Sequence, residues 1–126
     1  MKRLWIAAAL LAAAVVLSLW SSWYLRVYLT RVSDLLDHTQ ALALEADWAG
    51  AEHLTQEAFL RWDARDGFFY TVLRHADVDQ VFTGFREVQE YLRCRELGEY
   101  AAANARLSAE LDLLWEMEQL TLQNLL

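Results

Sequence analysis

The chain has 126 residues, with 18 acidic and 11 basic side chains, a formal charge of −7, six Trp, one Cys and no Pro. That length holds one small domain rather than two. The lone Cys94 excludes an internal disulfide and a cysteine cluster for zinc or redox work, and the acidic balance disfavours nucleic acid and anionic lipid as partners.

In chain order, Lys2 and Arg3 precede a run, Leu4 to Leu25, that carries no charged side chain. As a helix these 22 residues rise ~33 Å, enough to cross a hydrocarbon core of ~30 Å. A cleaved signal peptide starts the same way, but it ends in small residues after a shorter apolar stretch. Here Trp20, Trp23 and Tyr24 close the run, a belt of rings suited to a membrane interface, with Trp5 near the other end. The expectation is an uncleaved anchor; a secreted form follows only if cleavage occurs beside Ser21 and Ser22.

Lys2, Arg3 and the amino terminus face Arg26 and Arg31 across the span, where Asp34 and Asp37 soon follow. The positive-inside rule then places residues 1–3 in the cytoplasm, 4–25 in the membrane and 26–126 outside as a helical domain. Beyond the span 9 basic residues stand against all 18 acidic ones, a formal charge of −9.

Hydrophobic spacing predicts that the first helix continues straight out of the membrane. Leu25, Leu29, Val32, Leu36, Thr39, Ala43 and Ala46 recur at steps of three and four, widened by Leu35 and Leu42. Such a heptad-like stripe is also a candidate seam for self-association. Asp47 is placed to cap a second helix whose inward face is Trp48, Ala51, Thr55, Ala58 and Trp62, flanked by Leu54 and Phe59.

Asp66-Gly67 predicts a turn before Phe68, Phe69 and Tyr70. Three consecutive rings fan around a helix and cannot all face one core; the expectation is that they pack against neighbouring helices of the same domain, with contact of one ring to a partner or the membrane surface as the alternative. A third helix is expected from Asp77 to Arg95, with Val78, Val81, Phe85, Val88 and Leu92 inward and Phe82 beside them. Gly84 in its middle costs ~1 kcal/mol relative to Ala, which points to close approach of another helix. After a break near Leu97-Gly98, a last helix presents Tyr100, Ala103, Leu107, Leu111 and Leu114 towards Met117, and the apolar end from Leu120 to Leu126 is expected to dock back onto the bundle.

Asp47-Trp48-Ala49-Gly50-Ala51 and Glu99-Tyr100-Ala101-Ala102-Ala103 share an aromatic three residues before an Ala, each opening the second helix of a hairpin. The predicted fold is therefore all-α: an N-terminal transmembrane helix running into two antiparallel helical hairpins, with tetratricopeptide-like packing as one way to pair them.

Few residues carry potential chemistry. His75 and Asp79 lie one turn apart in Arg74-His75-Ala76-Asp77-Val78-Asp79, a spacing that can bind metal or shuttle a proton but more often only pairs imidazole with carboxylate, while Asp77 caps the helix. His38 and His53 fall on other helices, and no second His-carboxylate pair completes a metal site. Ser33 and Ser108 sit mid-helix without an oxyanion loop, and Glu116, Glu118 and Asp112 read as the wet side of an amphipathic helix. Cys94 reads as a small, partly buried apolar residue, or as one half of an intermolecular disulfide. The expectation is neither enzyme nor cofactor.

The single span, Asp47-Trp48…Ala51, the stretch His75-Ala76-Asp77-Val78-Asp79-Gln80-Val81, Glu90-Tyr91-Leu92 and the closing Glu118-Gln119-Leu120-Thr121-Leu122-Gln123-Asn124-Leu125 together resemble the bacterial family catalogued as domain of unknown function 4363. The resemblance covers nearly the whole chain. It implies a small, single-span helical protein without an assigned activity, and gives weight to His75, Asp79 and Asn124 as matched positions; the Phe68-Phe69-Tyr70 run departs from it. On its own chemistry the Asn124 amide can close the last helix or bond to a neighbouring helix.

Three functions follow as expectations: a membrane-anchored module that binds or positions another membrane or envelope protein, a bundle that senses a small ligand near His75 and Trp62, and a structural anchor that forms homo-oligomers.

Overall fold

With no proline to interrupt it, the chain is helical almost throughout. A computed structural model describes residues 1–64 and 75–125, without the side chains of His75, Thr121, Leu122 and Leu125. Among the described residues there are four α-helices and no strand: α1 (Lys2–Leu44), α2 (Trp48–Asp63), α3 (His75–Arg93) and α4 (Leu97–Leu125). The Asp66-Gly67 turn and the Phe68-Phe69-Tyr70 run lie outside the described residues.

α1 is a single helix of 43 residues, ~65 Å long, without a break where the apolar run ends. In its first half every residue from Lys2 to Trp20 except Val15 is exposed, and the helix is long and apolar enough to cross a membrane. Its second half buries Leu25, Leu29, Val32, Leu36, Thr39 and Ala43, the stripe read from the spacing, with Leu35 and Leu42 packed at its margins. Ala46 drops out of that stripe: it stands exposed in the turn. The seam proposed for self-association is thus occupied by the chain's own core.

The helices touch in a ring, α1 on α2, α2 on α3, α3 on α4 and α4 on α1. Paired residues show every neighbour to be antiparallel. Gln89 Nε2 donates to Gln56 Oε1 at 3.1 Å while the Phe59 and Phe82 rings meet at 5.8 Å. Asn104 bonds to Leu36 while Arg26 lies over the Trp115 ring. The two hairpins therefore close into an up-down-up-down bundle, not an open stack. Both hairpin turns lie at the end far from the apolar half of α1.

The turns have one geometry. At the end of α1, the Ala46 N–H donates to Ala43 O (3.0 Å) and the Asp47 N–H to Leu42 O (2.9 Å); at the end of α3, Arg95 donates to Leu92 O (3.1 Å) and Glu96 to Tyr91 O (3.1 Å). Ala46 (φ 63°) and Arg95 (φ 57°) both take the left-handed conformation that this Schellman closure requires. The residue after each then starts the next helix: Asp47 accepts from the Gly50 N–H at 3.0 Å, as its position predicted.

The second turn thus repeats the first at a spacing of 49 residues, Ala46 to Arg95. The same spacing carries Leu29 to Val78, Leu36 to Phe85, Ala43 to Leu92, Ala51 to Tyr100, Ala58 to Leu107 and Trp62 to Leu111, all of them buried. The repeat of the turn is shifted by one helical turn from the pairing of Asp47 with Glu99, because Glu96, not Glu99, occupies the position of Asp47. Near the turns the first hairpin buries the small Ala43 and Ala51 where the second buries the large Leu92 and Tyr100.

Three expectations for the ends of elements change. Asp77 lies within the described part of α3, His75–Arg93, and so does not cap it. α4 starts at Leu97, so Gly98 is helical and the break falls at Cys94–Glu96. The final residues do not fold back: they extend α4, and Leu120 is 58% exposed.

Candidate functional site

Three surfaces gather the polar and aromatic groups. The first is the apolar half of α1 with its ring belt. Trp5, Trp20 and Trp23 point outwards, both of the latter 61% exposed. Tyr24 lies between Trp20 and Tyr28, with centroids at 6.1 and 6.5 Å, a ladder at four-residue spacing along one face. Lys2 and Arg3 are exposed at the start of the helix, and the Arg26 guanidinium sits 5.4 Å from the Trp115 ring of α4, locking the first charge after the apolar run against the bundle.

The second surface is a groove of 320 Å³ between α3 and α4, floored by Gly84. A Cβ on Gly84 would stand 2.9 Å from Leu107 Cδ1 and 3.3 Å from Glu110 Oε2, so the close approach inferred from the sequence exists, and α4 makes it. Asp79, Glu87, Arg106 and Glu110 line the groove. Arg106 donates to Glu87 Oε1 at 3.1 Å across the two helices. Glu110 is half-buried; desolvation pushes its carboxyl above the usual carboxylate range, Arg106 opposes that shift, and Glu87 adds to it.

The third is an open groove of 520 Å³ between α2 and α3, lined by Glu52, His53, Gln56, Gln89 and Arg93. Thr55 also lines it, and its buried Oγ1 has no hydrogen-bond partner among the described residues. His53 therefore belongs to a groove, whereas His38 is exposed on α1.

The residues singled out from the sequence do not converge. His75 opens α3, with its side chain outside the described residues; Asp79 is exposed on the α3–α4 groove; Asn124 is exposed in the last turn of α4. Trp48 is half-buried against the core, and Trp62 is 1% exposed, a packing residue that offers no ring to a ligand. Cys94 is exposed in the turn after α3, not partly buried, and its Sγ lies 3.8 Å from Glu90 Oε1. Phe68, Phe69 and Tyr70 lie outside the described residues. Among the described residues no three His, Cys, Asp or Glu side chains are grouped to hold a metal ion.

One polar element escaped the sequence reading. Asn104, 1% exposed, donates through Nδ2 to Leu36 O and to Gln40 Oε1, both at 3.1 Å, and so ties α4 to α1 in mid-bundle. Thr39 and Thr55 are buried in the same core, Thr39 satisfied by Leu35 O at 2.8 Å. The signal was present: Asn104 follows Tyr100 by four residues on the inward stripe, a core position where a lone amide fixes helix register.

Comparison with known proteins adds a family: the model described as Domain of unknown function (DUF4363) matches residues 19–125. No curated protein and no solved structure matches the chain.

Proposed function

The chain belongs to the DUF4363 family, and from that premise we propose that it is a single-pass membrane-anchored docking module of the bacterial cell envelope, with no catalytic activity of its own. In this reading residues 1–3 stay in the cytoplasm, 4–25 cross the bilayer, and the acidic bundle stands outside, where it binds or positions another membrane or envelope protein. The observation that carries it is the continuity of α1: one 43-residue helix is bare and apolar in its first half and a wall of the core in its second. A flexible linker would suffice to tether a domain near a bilayer. A helix shared by anchor and bundle fixes the height and angle at which the bundle meets its partner.

Leu60 on α2 and Phe82 on α3 are exposed on the bundle, and Phe82 touches the Phe59 ring at 5.8 Å. Apolar side chains of this kind, set in a charged surface, suit the centre of a protein contact. Two tests apply. Cys94 is exposed at the end of the bundle far from the anchor, so a membrane-impermeant maleimide should label it in intact cells; labelling only after permeabilisation would overturn the outward orientation. A photo-crosslinking residue at Leu60 or Phe82 should give one discrete adduct with a membrane protein, and no adduct in any growth state would overturn docking.

A ligand-sensing role has one observation in its favour, the unpartnered Thr55 Oγ1 in the α2–α3 groove. It moves the candidate ligand away from His75 and Trp62 to the groove beside His53. A small molecule held there should raise the melting temperature of the wild-type protein, and Thr55→Val should abolish that rise.

A further inference from the structure

We infer that the C-terminal turns of α4 form a second membrane contact, entering the outer leaflet beside α1. This rests on the anchoring reading proposed above and concerns the opposite end of the chain. Two contacts set the register of α4 on α1: Asn104 bonds to Leu36, and Trp115 stacks under Arg26. Eleven residues along α4 thus answer to ten back along α1. Continuing at ~1.5 Å per residue, Glu118 lies level with Trp23 and Leu125 level with about Val16, ~15 Å past Arg26.

Exposure along α1 changes over the same stretch. Residues 1–20 are exposed except for Val15, which is half-buried, Ser21 is half-buried, and Ser22 and Leu25 are buried. Continuous cover on α1 therefore begins at Ser21, within the stretch that the register sets beside the last turns of α4.

Charge has stopped on both helices by the plane of Trp23. Arg26 is the first charge after the span on α1, and Glu118 is the last on α4. Below that plane the two helices expose Leu17, Leu19, Trp20, Trp23 and Leu120, an apolar collar that includes the belt expected at a membrane interface. From the level of Trp23 to that of Leu125 is ~10 Å, within the ~15 Å of hydrocarbon in one leaflet. Gln119, Gln123 and Asn124, polar but uncharged, are tolerated there at less cost than a charge would be. The bundle is then held at two points, α1 through the bilayer and α4 in its outer leaflet, and cannot swing about a single stalk.

The test uses the full chain in phosphatidylcholine vesicles, carrying an environment-sensitive nitrobenzoxadiazole probe on one cysteine at a time. Native Cys94 is the aqueous reference; in a Cys94→Ser background, Leu10→Cys reports the anchor, and Gln123→Cys and Asn124→Cys report the end of α4. Gln123 and Asn124 are exposed, so neither probe disturbs packing and neither is shielded by protein. Lipids with a nitroxide on the acyl chain should quench the probes at 10, 123 and 124 several-fold more strongly than at 94. Quenching at 10 with 123 and 124 no more quenched than 94 would overturn the inference and leave the anchor standing. No quenching at 10 would overturn the anchor and the inference with it.

Discussion

Asn104→Ala is the substitution that most sharply probes how the bundle is held. The side chain is 1% exposed and its Nδ2 makes both of its hydrogen bonds, to Leu36 O and Gln40 Oε1 on the facing helix. Each such bond is worth about 0.5–1.5 kcal/mol net. Losing two, together with the small void, costs about 2–3 kcal/mol; the Oδ1, which has no partner among the described residues, gives a fraction of that back when it is removed. Asn104→Asp should cost more, about 3–5 kcal/mol near neutral pH, because an acceptor-only carboxylate would face two oxygens in a dry site. Burial would raise that carboxyl's folded pKa above its unfolded value, so the folded state would take up the proton first and the variant would recover stability as the pH falls. Urea unfolding of the full chain in detergent, followed by far-ultraviolet circular dichroism at two pH values, measures both variants. An Asn104→Ala chain within ~0.5 kcal/mol of the parent, or an Asn104→Asp chain equal to it at both pH values, would refute the account of this contact.

Three further outcomes are expected in the same assay. Gly84→Val should destabilise by about 1–3 kcal/mol, since even a Cβ meets Leu107 Cδ1 at 2.9 Å and Leu107 is itself buried; an unchanged midpoint would mean that α3 and α4 are not so close. Ala46→Gly should stabilise by up to ~1 kcal/mol, because φ 63° is strained for Ala and free for Gly; a loss of stability would contradict the turn geometry. Glu110, whose carboxyl is raised from 4.5 by burial, binds its proton more tightly in the folded state. Stability from this residue therefore falls as the pH climbs from 4.5 through the raised value, and Glu110→Gln should flatten the profile there; an unaltered profile would contradict it.

The helices were legible because each carries its apolar residues at three- and four-residue steps, and the stripe from Leu25 to Ala43 and that from Val78 to Leu92 are both buried as spaced. Asp47 and Gly84 were legible for local reasons, a side-chain acceptor before a helix and a costly glycine within one. What escaped was set by partners distant in sequence. Asn104 has no meaning until α4 lies on α1, and Trp62 looks available until the closed bundle buries it. The turn at Arg95 was misplaced because Gly98 advertises a break, whereas the chain bends three residues earlier with an arginine in the left-handed conformation. The site residues remain dispersed, since one-turn pairs such as His75 and Asp79 follow from helix geometry alone and say nothing of convergence.

Everything proposed for this protein depends on α1 acting as one rigid body from membrane to bundle. Spin labels at Ala12 and His38, both exposed, can be placed in a Cys94→Ser chain reconstituted in lipid nanodiscs. Their separation, read by pulsed electron paramagnetic resonance, should be narrow and centred near the ~39 Å of 26 residues of unbroken helix. A broad distribution, or one centred well below that, would place a hinge between anchor and bundle and contradict the account.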